Sequence, residues 1–233
     1  MNEHPPPSNP PHDGAGHRAR LRQRLAEGGH EALHDHELVE YLLALAIPRR
    51  DTKPLAKLLL REFGGLAGLV AADWDALTRV PGMGDTSAAA IKIVQAVALR
   101  MLKQEVAQKP VLSNWQSLLD YLRADMAQLQ VERVRVLHLN ARNLLIRDEA
   151  MADGTIDQAP MYTREVIRRA MELGSASLIL VHNHPSGSPQ PSRADIDLTR
   201  TIANAAKPLG ISVHDHIIIG SEGHSSLRAM GLM

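Results

Sequence analysis

The chain has no cysteine. That rules out disulfides, thiolate metal sites and a cysteine nucleophile together, and it leaves the twelve histidines as the place to look for metal ligands. Aromatic residues make up only 3% of the 233 positions. The core must therefore rest on Leu, Ile, Val, Ala and Met, and a surface of rings stacked on nucleic-acid bases is argued against. Neither sign of charge is in excess: Lys plus Arg is 26 and Asp plus Glu is 26, with 13 of each sign in residues 1–105 and 13 in residues 106–233. Without a basic half, net charge encodes no bulk attraction to nucleic acid or anionic lipid, and any phosphate contact must be local. Long apolar runs are missing too. The stretch Leu42 to Ile47 falls far below the roughly 18 residues of a membrane span, and the N-terminus lacks the charged start and apolar run of a signal peptide. A soluble, cytoplasmic protein with no membrane partner is expected.

Hydrophobic residues at 44% and charged residues at 22% are globular composition, and the length suits one or two domains. Residues 1–15 hold five prolines and almost no apolar side chains, so they are expected to be a disordered tail. Residues 16–104 read as helices only. Leu38, Tyr41, Leu42 and Leu45 recur at helical spacing, as do Leu55, Leu58, Leu59 and Phe63 before the stop Gly64-Gly65. A short helix near Asp73 to Thr78 leads through Val80-Pro81-Gly82-Met83-Gly84 to an Ala-rich helix over Asp85 to Lys103. Residues 105–112 read as a linker. Beyond it, over 113–233, the period changes. A helix over Asn114 to Ala127 precedes two strands, Val131 to Asn140 and Leu144 to Met151, joined by the turn Ala141-Arg142-Asn143, with Asp153-Gly154 as a further turn. Thr163 to Leu173 is a helix, Ser177 to His184 a buried strand, Ser192 to Ala206 a helix, and Ile211 to Val213 and His216 to Ile219 the last strands. The expected class is α/β: an all-helical domain in front of a mixed-sheet domain.

The segment richest in chemistry is Val181-His182-Asn183-His184-Pro185-Ser186-Gly187-Ser188-Pro189-Gln190-Pro191-Ser192-Arg193-Ala194-Asp195. Residues two apart on a strand share a face, so His182 and His184 can turn two imidazoles toward one ion. Asp195, in the first turn of the next helix, can return as an anionic third ligand. Two neutral nitrogens and a carboxylate form a zinc set that leaves a fourth position for water. Plainer alternatives stand beside this. Two histidines at a strand end are commonly surface or core residues, and Ser192-Arg193-Ala194-Asp195 also matches a capping box, which would make Asp195 a helix cap.

The combined spacing His-x-His-x7-Ser-x2-Asp resembles the JAMM signature of JAB/MPN metallopeptidases. The text around it, Leu139-Asn140-Ala141-Arg142-Asn143, Tyr162 to Val166, His182 to Gly187 and Asp215 to Gly220, resembles the bacterial RadC family from residue 17 to the C-terminus. The resemblance implies a deaminase-like JAB/MPN domain with one zinc per chain, held by His182, His184 and Asp195. It implies Ser192 as the hydrogen-bond donor to the developing oxyanion and an upstream strand Glu as general base. Glu149 fits that place, with Asp148 on the opposite face of the strand. The implied activity is zinc-dependent hydrolysis of a peptide or isopeptide bond in a protein or peptide substrate. Asn183 departs from the eukaryotic deubiquitinase pattern, where Ser or Thr is usual, which bears on isopeptide specificity rather than on metal binding.

The other histidines carry less. His214 and His216 flank Asp215 and are expected to be structural, the alternative being that they orient a ligand. His30, His34 and His36 sit around a helix start. Val80 to Gly84 between two helices looks like a helix-hairpin-helix, whose Gly82, Met83 and Gly84 amides can face a phosphate. Packing alone explains it equally well. The rival reading of the whole chain is a non-catalytic DNA-associated protein of weak duplex affinity with a structural or vestigial metal site.

Overall fold

The computed structural model describes residues 14–153 and 163–233. The five prolines of the expected disordered tail lie outside the described residues, as do Gly154 of the expected turn and Tyr162. The chain divides into two compact units, with the boundary between Ile93 and Val94. Among the described residues, no helix is long and apolar enough to cross a membrane.

The first unit is helical: α1 (Gly14–Gly28), α2 (Asp35–Ala46), α3 (Lys53–Glu62), α4 (Leu66–Ala71), α5 (Trp74–Arg79) and the start of α6 (Asp85–Gln108). Its core joins Val39 and Leu43 of α2, Leu55, Ala56 and Leu59 of α3, Leu69, Leu77, Val80, Ala88 and Ile91. The stop at Gly64-Gly65 works as the residue types dictate. Both glycines have positive φ, and the Gly65 amide turns back to the Leu60 carbonyl at 2.7 Å, which ends α3. Asp73 caps α5 by accepting from the Ala76 amide at 2.6 Å.

The segment 105–112, expected as a linker, is different. Residues 105–108 continue α6 and Val106 is fully buried in the second unit's core. Glu-Val-Ala-Gln contains no helix breaker, and the chain leaves the helix only as it nears Pro110.

The second unit holds α7 (Trp115–Met126), β1 (Arg133–Leu139), β2 (Leu145–Asp153), α8 (Thr163–Glu172), β3 (Ser177–Asn183), α9 (Arg193–Ala206), β4 (Ser212–Gly220) and β5 (Gly223–Ser226). Its sheet runs β2-β1-β3-β4-β5, with β3 and β4 parallel and the other pairs antiparallel. The parallel pair is a β3-α9-β4 crossover, as parallel strands require. Leu137, Leu139, Ile179, Val181, Ile217 and Ile219 pack on one face against α7 and Val106. Val136, Leu178, Leu180 and Val213 pack on the other against Val166 and Ala170 of α8 and Ile202 and Ala206 of α9. Helices thus cover both faces of β3, and all seven of its residues are buried. The two strands expected over Ile211 to Val213 and His216 to Ile219 are one, β4, which runs without a break from Ser212 to Gly220, and β5 follows it.

Candidate metal centre

In an open α/β sheet, polar side chains gather where strands end and loops begin, at the carboxyl ends of the parallel strands. His182 is the penultimate residue of β3, level with Val134 on β1 and Ile218 on β4, and only 3% exposed. His184 lies just past the strand, its amide donating to the Ile219 carbonyl at 2.8 Å, so it keeps the direction of His182. The two Nε2 atoms stand 2.9 Å apart. The chain then turns sharply. The Gly187 amide donates to the His184 carbonyl at 3.0 Å, and Gly187 has φ of 93°. Gly220, at the end of β4, passes so close that a Cβ there would lie 2.1 Å from the Gly187 carbonyl oxygen. Both glycines are thus required by the fold of this loop.

The loop delivers α9 with Ser192 as its N-cap. The capping box expected from the sequence is present: the Asp195 amide donates to Ser192 Oγ at 3.1 Å, and the Ser192 amide donates to Asp195 Oδ2 at 2.7 Å. Ser192 Oγ also donates to Asp195 Oδ2 at 2.7 Å. The second oxygen, Oδ1, lies 3.3 Å from His182 Nε2, while Oδ2 is 3.7 Å from His184 Nε2. Helix cap and metal approach are therefore compatible in one carboxylate.

A second carboxylate enters from β1. Glu132, the residue before that strand, brings Oε1 to 3.9 Å from His182 Nε2. Ligand atoms of Glu132, His182 and His184 all lie within 4.8 Å of one another. Asn183 holds the chain on both sides of this Glu: its Oδ1 accepts from the Arg133 amide at 2.8 Å and its Nδ2 donates to the Val131 carbonyl at 3.2 Å.

Burial sets the electrostatics. It pushes His182 down to about 4 and His216, behind it, down to about 3, so both rings are neutral near pH 7. His184 is raised, chiefly by the Asp195 carboxylate 3.7 Å from its Nε2. Burial works to raise Asp195, but the neighbouring His184 and His182 and the hydrogen bonds from Ser192 outweigh it and hold the carboxyl well below the usual range. Glu132 is pushed up to about 7 by burial, with His184 offsetting part of the effect.

Glu149, the base expected from the sequence, is elsewhere. It pairs with Val136, which pairs with Leu180, so it sits two strands from β3 and two residues short of His182 along the strand. That is about 10 Å sideways and about 7 Å along. Its carboxylate is held by Arg169 of α8 at 2.9 to 3.1 Å, a contact that lowers its pKa. Asp148 does face the other side of the sheet, where it accepts from Tyr121 at 2.5 Å and from Arg135 Nε at 2.9 Å. Sequence reasoning passed over Glu132. The signal available for it was alternation, since Glu132 and Val134 share a face, but only the strand order shows that this face meets His182.

Ser192, expected to serve an oxyanion, has its one proton committed to Asp195. His214 bonds Asn143 Oδ1 at 2.8 Å, away from the site, whereas His216 Nε2 reaches His182 Nδ1 at 2.8 Å. At the hairpin of the first unit, the Met83 amide donates to the Val80 carbonyl at 3.0 Å and the Gly84 amide to Ser87 Oγ at 2.9 Å. Two of the three amides expected to face a phosphate are thus already bonded. The Arg50 guanidinium covers Gly82, where a Cβ would lie 2.8 Å from Nη2.

The donor set fits a divalent cation. His184 Nδ1 lies 2.9 Å from the Ser188 carbonyl; a carbonyl only accepts, so Nδ1 carries a proton, and in the neutral ring Nε2 holds the lone pair that an ion would take. That nitrogen faces His182 Nε2 with two carboxylates alongside, an electron-rich cluster that an ion held by His182, His184 and a carboxylate would neutralise. Residues 112–232 match the family model of the RadC-like JAB domain, and residues 15–89 match that of the UPF0758 N-terminal domain.

Proposed function

The chain belongs to the RadC-like JAB domain family, and from that premise and the geometry of the centre we propose that it is a zinc-dependent hydrolase of peptide or isopeptide bonds. The observation that supports this best is a second buried carboxylate, Glu132, 3.9 Å from His182 Nε2 and additional to the His182, His184 and Asp195 set. Zinc held there would supply a Lewis acid that activates water near neutral pH. His182, His184 and Asp195 would hold the ion. Asp195 suits a ligand because His184, His182 and Ser192 together keep it ionised and the two bonds from Ser192 fix it. Glu132, pushed up to about 7, suits a base that takes a proton from the attacking water and returns it to the leaving amine near neutral pH.

The test compares two acids. Glu132→Gln should keep about one zinc per chain, while hydrolysis of peptide and isopeptide libraries falls by a factor on the order of 10²–10⁴. Glu149→Gln should cleave at close to the wild-type rate. His182→Ala and Asp195→Ala should lose the metal. A wild-type protein purified without chelator and free of zinc would sink the centre. Turnover that survives Glu132→Gln but not Glu149→Gln would move the base to β2.

A further inference from the structure

Behind His182 runs a chain of three buried polar groups whose hydrogen positions are forced. Thr199 of α9 is fully buried, and its Oγ1 lies 2.5 Å from the Asp195 carbonyl oxygen and 2.6 Å from His216 Nδ1. A carbonyl can only accept, and a threonine hydroxyl has one proton. The proton therefore goes to Asp195, and the hydroxyl oxygen must accept from His216 Nδ1–H. His216 is 1% exposed, and an imidazole so far from water carries a single proton; with that proton on Nδ1, its other nitrogen, Nε2, holds a lone pair. That atom lies 2.8 Å from His182 Nδ1, which must then carry the proton. One nitrogen of His182 remains. Its Nε2 is left with the lone pair, and Nε2 is the atom turned toward His184 and Asp195.

We propose that Thr199 and His216 are positioning residues that set the tautomer of His182, so that its Nε2 is presented as a metal donor before any ion arrives. This rests on the metal-centre reading above. The chain has just one self-consistent alternative. If Thr199 donated to His216 instead, His216 Nε2–H would point at His182 Nδ1, and His182 would carry its proton on Nε2, in the place of the ion. The backbone carbonyl of Asp195 prevents that by claiming the hydroxyl proton. The same helix turn that supplies the Asp195 carboxylate thus also dictates, through its carbonyl, the state of the histidine opposite. His184 is fixed separately by Ser188, so the two imidazoles are prepared by two independent carbonyls.

The decisive variant is Thr199→Val, which keeps the shape and removes the hydroxyl. It leaves His216 Nδ1 without an acceptor, so the proton is better placed on Nε2, and His182 is driven to the blocked tautomer. The metal-free protein, at a pH where the rings are neutral, is read by long-range nitrogen–proton NMR of its imidazoles. Wild type and Thr199→Ser should show His182 protonated at Nδ1, and Thr199→Val should show it at Nε2. Zinc affinity, measured by chelator competition, should fall 10–100-fold in Thr199→Val, the usual worth of a partner that orients a ligating histidine. It should return in Thr199→Ser. Wild-type His182 protonated at Nε2, or a Thr199→Val protein with wild-type tautomer and affinity, overturns the proposal. If Thr199→Val does not fold, the wild-type tautomer alone decides. If wild type binds no zinc, the metal-centre reading falls while the NMR comparison still judges the relay.

Discussion

The two oxygens of Asp195 are used differently. Oδ2 takes two hydrogen bonds from Ser192, and Oδ1 faces His182. That division gives Ser192 a role which can be separated from the oxyanion role implied by the family resemblance. Ser192→Ala removes both the N-cap and one bond to the carboxylate. Stability should fall by about 1 kcal/mol, the usual cost of a lost cap, and zinc affinity by about 10–100-fold. Turnover measured at saturating zinc should stay within severalfold of wild type. A drop on the order of 10²–10³ at full metal load would instead identify the hydroxyl as an oxyanion donor. Glu149 shows the converse case. Its carboxylate is committed to the Arg169 guanidinium, so it anchors α8 to β2, beside His138 and two strands away from His182.

Among the helices, the start of α2 carries the clearest pH signature. Glu37 accepts from the His34 amide at 3.0 Å and takes a forked pair of hydrogen bonds from Arg24, at 2.6 and 2.9 Å. The Arg24 hydrogen bonds hold its pKa down at about 2. A carboxyl depressed in the folded state lends stability that is present above its unfolded pKa, roughly 4, and lost as pH falls through the folded value. Glu37→Gln should therefore lower the urea midpoint of the first unit at pH 7. The gap from wild type should narrow between about pH 4 and pH 2. A gap of constant size across that window would show that the charge of Glu37 contributes nothing. The elements themselves were largely legible from periodicity, because β3 is one apolar run and the helix stripes recur at three and four. What stayed hidden depended on partners distant in sequence. His214-Asp215-His216 reads as a break between strands, yet β4 runs through it because Asn143, Ser226, Arg228 and Thr199 satisfy those groups. Glu132 stayed hidden for a related reason: either strand of the first hairpin can supply an acid until it is known which one lies beside β3.

At the level of the whole molecule, the two units have separate apolar cores, and the two family matches fall on either side of their boundary. Metal removal should accordingly act on one unit. A ligand at 1,000 times its dissociation constant adds about 4 kcal/mol to the state that binds it. Chelation should therefore lower hydrogen-exchange protection in β3, β4 and α9 while leaving α2 and α3 unchanged; equal loss in both units would contradict this. The second unit also holds a consequence of Asn183. Its amide grips the backbone on both sides of Glu132, one group donating and the other accepting across a span that no single hydroxyl can bridge. His182 and His184 flank Asn183 at the end of β3, and Glu132, just before β1, is tied to that same Asn183 through its two neighbours. A displacement of β1 against β3 should therefore carry the acid and the imidazoles together, keeping their spacing where a site assembled from independent loops would come apart.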